Sequence, residues 1–293
     1  MSTYRERASH AWTEDSIRLI ATPSSFAKSA LMYVQEVGHF RTLSPYFTER
    51  EHLNSFLIVY TLSGLGNLTY KGNVYELRPR QTFLIDCMEY QHYATAADPD
   101  QPWELLWVHF NGESVAPYYS AFETAGTPVV TLSVDSEASS MLRELIVLQQ
   151  ERTVRSELIG NRLIIGLLTE VLLAAPELSI SVADAPEYVR NSIREIERHY
   201  REKITLNRLA GLSSVNKFHL AKEFKRFTGF SPNEFLINVR MSHAKERLKY
   251  SDLPIAAIAA EVGIDNVSHF IRLFKDRIDA TPLSFRKRWQ RPR

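Results

Sequence analysis

A chain of 293 residues, 44% apolar and with a formal charge of +1, is long enough for two domains with a core each and has the composition of a globular protein. No stretch approaches the roughly 18 uninterrupted apolar residues of a membrane span, since the run Leu163 to Ala175 is short and contains Thr169 and Glu170. The single cysteine, Cys87, excludes an intramolecular disulfide and a multi-cysteine metal site, and reads as a small apolar packing residue.

Residues 1 to 15 carry Arg5, Glu6, Arg7, Glu14 and Asp15 where a secretory signal has a basic patch followed by an apolar segment. A cytoplasmic location is therefore expected. The small net charge hides a division near Ala185. Residues 1–185 hold 13 Lys/Arg against 22 Asp/Glu, a net −9, and residues 186–293 hold 22 against 12, a net +10. A basic module joined to an acidic one suggests a polyanion-binding domain tethered to a domain with another task, the alternative being an uneven spread of solvated charge.

In chain order, five segments read as short strands: Phe56 to Leu62, Gly66 to Tyr70, Asn73 to Leu77, Thr82 to Asp86 and Trp103 to Phe110. They are rich in β-branched and aromatic residues and are separated by Gly, Pro, Asn or Asp. That rhythm predicts an antiparallel sandwich or small barrel, with a tight hairpin at Lys71-Gly72-Asn73 and a bend at Gly64 and Gly66. From Ser133 the apolar period changes to steps of three and four, through Met141, Leu142, Leu145, Ile146 and Leu148 and then from Leu158 to Leu172. This predicts two helices, with Ser136 and Ser156 as candidate N-caps. They either cover the sheet or form a dimer seam. Pro176 to Pro186, short, polar and bracketed by prolines, reads as a linker. The expected division is residues 1–132 for a strand-rich domain, 133–175 for the helical pair, 176–186 for the linker and 187–293 for a basic helical domain.

That last domain contains a duplication at an offset of 50 residues. His219-Leu-Ala-Lys-Glu-Phe-Lys225 matches His269-Phe-Ile-Arg-Leu-Phe-Lys275, and the exits Gly229-Phe-Ser-Pro232 and Asp279-Ala-Thr-Pro282 also align. Upstream, Leu209-Ala210 corresponds to Ile258-Ala259. Two copies of helix, turn, helix are implied. In the second helix of the first copy, Leu220, Phe224 and Phe227 share one face, while Lys217, Phe218, Ala221, Lys222 and Lys225 share the other. In the second copy Phe270, Leu273 and Phe274 pack inward and Ser268, His269, Ile271, Arg272 and Lys275 stay outside. A helix that enters the DNA major groove needs such a polar, cationic face, where a solvated surface does not require one. Between the copies, Leu236 to Tyr250 forms a helix that spaces them, and successive major-groove faces on one side of a duplex recur about 34 Å apart.

At these residues the chain resembles the AraC family of transcription regulators. The resemblance to the family's DNA-binding domain runs from about Tyr188 to Trp289. It is most specific in the second copy, at Ile258-Ala259, Gly263-Ile264, Ser268, Phe270, Arg272, Phe274-Lys275, Thr281-Pro282 and Phe285-Arg286. It implies base-reading positions at Lys217, Phe218, Ala221 and Lys222, and at Val267, Ser268, His269, Ile271 and Arg272. The family usually has glycine where this chain has Ser214 and Asp279, both places that favour positive φ.

A weaker resemblance covers Arg50 to Phe110, through Arg50, Gly64-Leu-Gly66, Gly72, Tyr75-Glu-Leu-Arg-Pro79, His92-Tyr93 and Trp103 to Phe110. It implies a cupin-type β-barrel that binds an effector and dimerises, although Arg80-Gln81 replaces the usual Gly-Asp. The fold class is then α+β multidomain, a cupin-like barrel with two cover or dimerisation helices followed by an all-α domain with two helix-turn-helix units. His92 and His109 stand without a His-x-His pair, so no metal or other cofactor is expected. By the family pattern Arg50, His92, Tyr93 and Trp107 are the ligand-binding candidates, against the alternative that aromatic residues in strands are core. The implied partners are a double-stranded operator, a carbohydrate-class effector, RNA polymerase and a second copy of the chain. An effector-controlled regulator is thus expected, with a ligand-independent dimeric regulator and a cupin enzyme fused to a DNA-binding domain as the alternatives. No nucleophile motif or phosphate loop supports the enzyme.

Overall fold

The computed structural model describes residues 3–96, 102–151, 153–176 and 182–290. Two compact units emerge, Met1–Ser179 and Ile180–Arg293. Of the linker expected from Pro176 to Pro186, residues 177–181 lie outside the described residues.

The strands of the first unit are β1 (Arg5–Ser9), β2 (Ile17–Ile20), β3 (Tyr33–Arg41), β4 (Phe47–Glu51), β5 (Phe56–Ser63), β6 (Gly66–Tyr70), β7 (Asn73–Leu77), β8 (Gln81–Asp86), β9 (Gln91–Thr95), β10 (Glu104–Asn111) and β11 (Val129–Thr131). Four helices accompany them, α1 (Ser25–Ala30), α2 (Val115–Glu123), α3 (Ala138–Glu151) and α4 (Val154–Ala174). The strands make two antiparallel sheets, ordered β1-β4-β9-β6-β7 and β11-β8-β5-β10-β3-β2. Both sheets keep free edges, so the expected barrel is an open sandwich.

Burial explains why the strand segments look unalike in sequence. The six-stranded sheet is covered on both faces. Leu57, Val59, Phe83, Ile85, Leu105 and Trp107 enter the sandwich interior, whereas Ile58, Tyr60, Leu84, Leu106, Val108 and Phe110 pack beneath residues of α2, α3 and α4. Strands buried on both faces read as continuous apolar runs, which is how β5, β8 and β10 appear. The other sheet alternates, as in β6 with Gly66, Leu68 and Tyr70 buried and the residues between them half-buried. Lys71 and Gly72, at φ 48° and 77°, close the hairpin from β6 to β7 as the doubly left-handed turn that matches strand twist. Arg80 takes φ 68° where relatives by resemblance carry glycine.

Helix α3 follows Ser136, whose hydroxyl accepts from Ala138 N. The expected cap at Ser156 is corrected. Thr153 is the N-cap of α4, and Ser156 is its partner in a capping box, each side chain bonded to the other's backbone, because Val154 rather than Glu157 begins the helix.

The second unit contains α5 (Glu187–His199), α6 (Leu206–Gly211), α7 (Lys217–Thr228), α8 (Pro232–Tyr250), α9 (Ile255–Glu261), α10 (Val267–Ile278) and α11 (Pro282–Trp289). Its interior divides into two cores. Leu209, Ala210, Leu220, Phe224 and Leu236 belong to one, and Met241, Ala244, Leu248, Ile258, Ala259, Phe270 and Phe274 to the other. Helix α8 supplies residues to both, so it is the shared beam of the two helix-turn-helix units. Leu236 and Leu248 are separated along it by about 18 Å at 1.5 Å per residue. The beam begins at Pro232, before the expected Leu236, because Ser231 caps it in a capping box with Glu234 and Pro232 fits its first turn.

Candidate functional site

Each unit of the second domain folds the same way. Helix α6 ends in a turn whose Val215 N donates to Ala210 O at 3.1 Å, and α9 ends in a turn whose Ile264 N donates to Ala259 O at 2.9 Å. Ser214 and Gly263 hold the left-handed position in these turns, at φ 53° and 78°. An asparagine caps the helix that follows. The Asn216 side chain accepts from Phe218 N and His219 N, and that of Asn266 accepts from His269 N. Gly229 and Asp279 end the two helices at φ 76° and 54°, so both departures from family glycine sit where the resemblance places them.

The inward faces of α7 and α10 are fixed by Leu220 and Phe224, and by Phe270 and Phe274, all fully buried. Lys217, Phe218, Lys222 and Lys225 stand exposed on α7, with Ala221 half-buried beside them. Ser268, His269, Ile271, Arg272 and Lys275 stand exposed on α10, with Val267 half-buried. The two faces hold the expected residues, cationic and free of carboxylates among those named. Phe218 is 72% exposed, with Lys217 Nζ 5.3 Å from its ring centroid.

Residues 200–202, which the sequence did not single out, join the two units. From the middle of α8, Arg240 donates to Tyr200 O at 2.7 Å and to Glu202 O at 2.8 Å, and His243 stacks on Tyr200 at 4.0 Å. Tyr188 on α5, also unforeseen, meets His219 Nε2 through its hydroxyl at 3.0 Å and so holds α7 against α5.

In the first unit, a narrow cavity of about 30 Å³, opening to solvent, lies between the two sheets. Arg50, Tyr93 and Trp107 line it and are all at least nine-tenths buried. His92 does not line it. Side chains alternate along β9, and His92 stacks on Phe47 with ring centroids 5.9 Å apart, whereas the adjacent Tyr93 faces inward. His109 does line the cavity, as do Glu6, Arg18, Glu36, Trp12, Phe40 and Tyr46, most of them from strands that were not anticipated. Register pairs Trp107 with Gly38, where an added Cβ would lie 2.6 Å from the indole.

The cavity floor is a chain of hydrogen bonds. Arg50 Nη1 donates to His109 Nε2 at 2.7 Å. Since guanidinium only donates, Nε2 is unprotonated and Nδ1–H donates to Ser55 Oγ at 3.0 Å. Burial, with the Arg50 charge beside it, holds the His109 pKa well below 6.5. A neutral folded imidazole is linked to pH in one direction. Below pH 6.5 the unfolded chain takes up a proton that the folded chain refuses, so the first unit should lose about 1.4 kcal/mol per pH unit from this group. His109→Gln should flatten that slope in urea unfolding between pH 5 and 7, and equal slopes in the two proteins would refute the assignment.

Among the described residues, Arg50 Nε and Trp107 Nε1 are buried donors without a hydrogen-bond partner. At the rim Glu6 lies 3.5 Å from Arg50 and Glu36 2.8 Å from Arg18, so the two acids and two bases are paired. Among the described residues no group of three or more His, Cys, Asp and Glu is placed to hold a metal ion, and no helix is long and apolar enough to cross a membrane.

Both halves match known family models, an AraC-like ligand binding domain over residues 33–168 and a helix-turn-helix domain over residues 209–288. The chain belongs to the AraC family of transcription regulators. Similarity extends over most of each chain. The MmsAB operon regulatory protein of Pseudomonas aeruginosa is 26% identical over 94% of this chain and 91% of its own length. The lactose operon transcription activator of Staphylococcus xylosus is 24% identical over 76% and 80%, and the Msm operon regulatory protein of Streptococcus mutans 24% over 81% and 86%. This AraC-family regulator therefore binds double-stranded DNA through its helix-turn-helix domain and is controlled through its ligand-binding domain.

Proposed function

We propose that this cytoplasmic regulator binds a neutral polyhydroxylated effector, a carbohydrate, in the sandwich cavity and reads an operator with α7 and α10. The observation that supports the ligand most is the pair of unpartnered buried donors, Arg50 Nε and Trp107 Nε1. Each needs an acceptor that no described residue supplies, and an unsatisfied buried donor costs about 1–3 kcal/mol. Trp12, Phe40, Tyr46, Tyr93 and Trp107 offer aromatic surfaces for C–H faces, and the paired charges favour a ligand with no net charge. The relative named for a lactose operon agrees with that class. The test is a thermal shift of the full chain against neutral sugars, sugar acids and hydroxy acids. Stabilisation by a neutral sugar is expected, and stabilisation only by an anionic compound would overturn the class.

On the DNA side, Lys217, Lys222, Lys225 and Lys275 meet phosphate or base edges, and Phe218, Ala221, Val267, Ser268, His269, Ile271 and Arg272 face the bases. Arg272→Ala should weaken operator binding by about 1–3 kcal/mol and relax preference at one base pair. Unchanged affinity in a binding titration at fixed salt would remove Arg272 from the reading set. A second copy docks through α3 and α4, where Val147, Val154, Leu158 and Leu173 are exposed apolar residues, and RNA polymerase is the partner at the promoter. The effector acts by favouring one arrangement of the DNA-binding domains over another.

A further inference from the structure

The two recognition helices carry different reading chemistry. Base edges are distinguished by side chains with planar, paired hydrogen-bonding groups, chiefly Arg, Asn and Gln, or by apolar contact with the C5-methyl of thymine. Among the α7 positions that the resemblance assigns to base reading, Lys217, Phe218, Ala221 and Lys222, none is of the first kind. Arg226, exposed farther along the helix, is paired with Glu223 at 3.4 Å, and the nearby Asn216 is occupied in capping, its Oδ1 accepting from Phe218 N at 2.9 Å. His219 is engaged by Tyr188. What α7 does present is the most exposed phenylalanine of the second unit, 72% accessible, on a helix whose core already has Leu220 and Phe224. An aromatic ring left in water at that point has no packing role in the folded chain. The α10 face differs, since Arg272 offers a guanidinium fork beside His269, whose Nδ1 lies 3.3 Å from Arg272 Nη2.

We infer that the operator has two chemically unlike halves: a thymine whose C5-methyl is covered by Phe218 and Ala221 under α7, and a guanine whose O6 and N7 accept from Arg272 under α10. This rests on the DNA-facing assignment of the two helices. Those α7 lysines that meet phosphate add affinity that depends on salt and little on sequence, so the methyl contact of Phe218 and Ala221 marks the first half and the hydrogen-bonding fork of Arg272 the second.

The test uses the full-length protein and a duplex selected by it from a random library. If no sequence is enriched, the assignment of the two helices to the operator fails, and this inference with it. With a selected duplex, replacing each thymine in turn by deoxyuridine removes one methyl, and one replacement in the first half should weaken binding about three- to tenfold. Phe218→Ala should abolish that difference between thymine and deoxyuridine, as a double-mutant cycle, while retaining the loss caused by 7-deazaguanine in the second half. That retained response shows that the variant still folds and binds. Phe218→Leu, which keeps an apolar contact, should preserve part of the preference. Equal binding of every thymine and deoxyuridine duplex, or an undiminished difference in Phe218→Ala, would overturn the inference, as would indifference of the second half to 7-deazaguanine.

Discussion

Replacing Gly263 with alanine is expected to destabilise the second helix-turn-helix unit by about 3 kcal/mol and to weaken operator binding more than tenfold. Gly263 has φ 78°, and a Cβ there would lie 2.3 Å from the carbonyl oxygen of Arg201. That oxygen belongs to backbone, held on either side by the bonds from Arg240 to Tyr200 O and Glu202 O, so the neighbour cannot rotate away. Gly229 is the internal control. Its φ is 76°, with nothing within 4 Å of an added Cβ, so Gly229→Ala should cost only the left-handed strain of about 1–2 kcal/mol. Urea unfolding of both variants separates strain from collision. Equal losses would mean that residues 200–202 do not clamp the two units together.

The second large effect concerns the cavity. Arg50→Met keeps most of the side chain's bulk and removes its charge and donors, leaving Glu6 at the solvated rim and His109 with a free Nε2. If Arg50 donates to the effector as proposed, loss of charge-assisted hydrogen bonds of about 1.5–3 kcal/mol should lower effector affinity roughly 10- to 150-fold. Operator binding without effector should stay within a factor of two, because Arg50 and the proposed reading helices α7 and α10 belong to separate compact units. His92→Ala should leave effector affinity unchanged, since His92 packs on Phe47 outside the cavity. Calorimetric titration of the three proteins with the identified effector checks this. A loss in His92→Ala as large as that in Arg50→Met would contradict the cavity assignment.

Legibility in the sequence followed burial. The five strands that could be read include β5, β8 and β10, buried on both faces and therefore continuous apolar runs, and the hairpin of β6 and β7, marked by Lys71-Gly72. Six strands, β1, β2, β3, β4, β9 and β11, were missed, and the edge strand β1 shows one reason. All five residues of β1 are polar or alanine, and it is held at a sheet edge by β4. Yet β1, β2 and β3 bring Glu6, Arg18 and Glu36 to the cavity, so three of the four paired rim charges could not be foreseen. Period two along β9 could have separated His92 from Tyr93 had the strand been recognised. The helical domain was more legible, because a duplicated pattern of Phe anchors and cations states each position twice. Contacts between units, such as Arg240 with backbone at Tyr200 and Glu202, have no sequence signature, since carbonyl oxygens look alike in every residue.

Hydroxyl-radical footprinting of the full-length regulator on its selected operator tests the two-reader account most directly. Protection should fall in two adjacent major-groove segments on one side of the duplex, about one helical turn apart. Phe218→Ala should diminish protection in one segment first and Arg272→Ala in the other. A single protected segment, or equal loss of both segments in either variant, would contradict independent reading by α7 and α10.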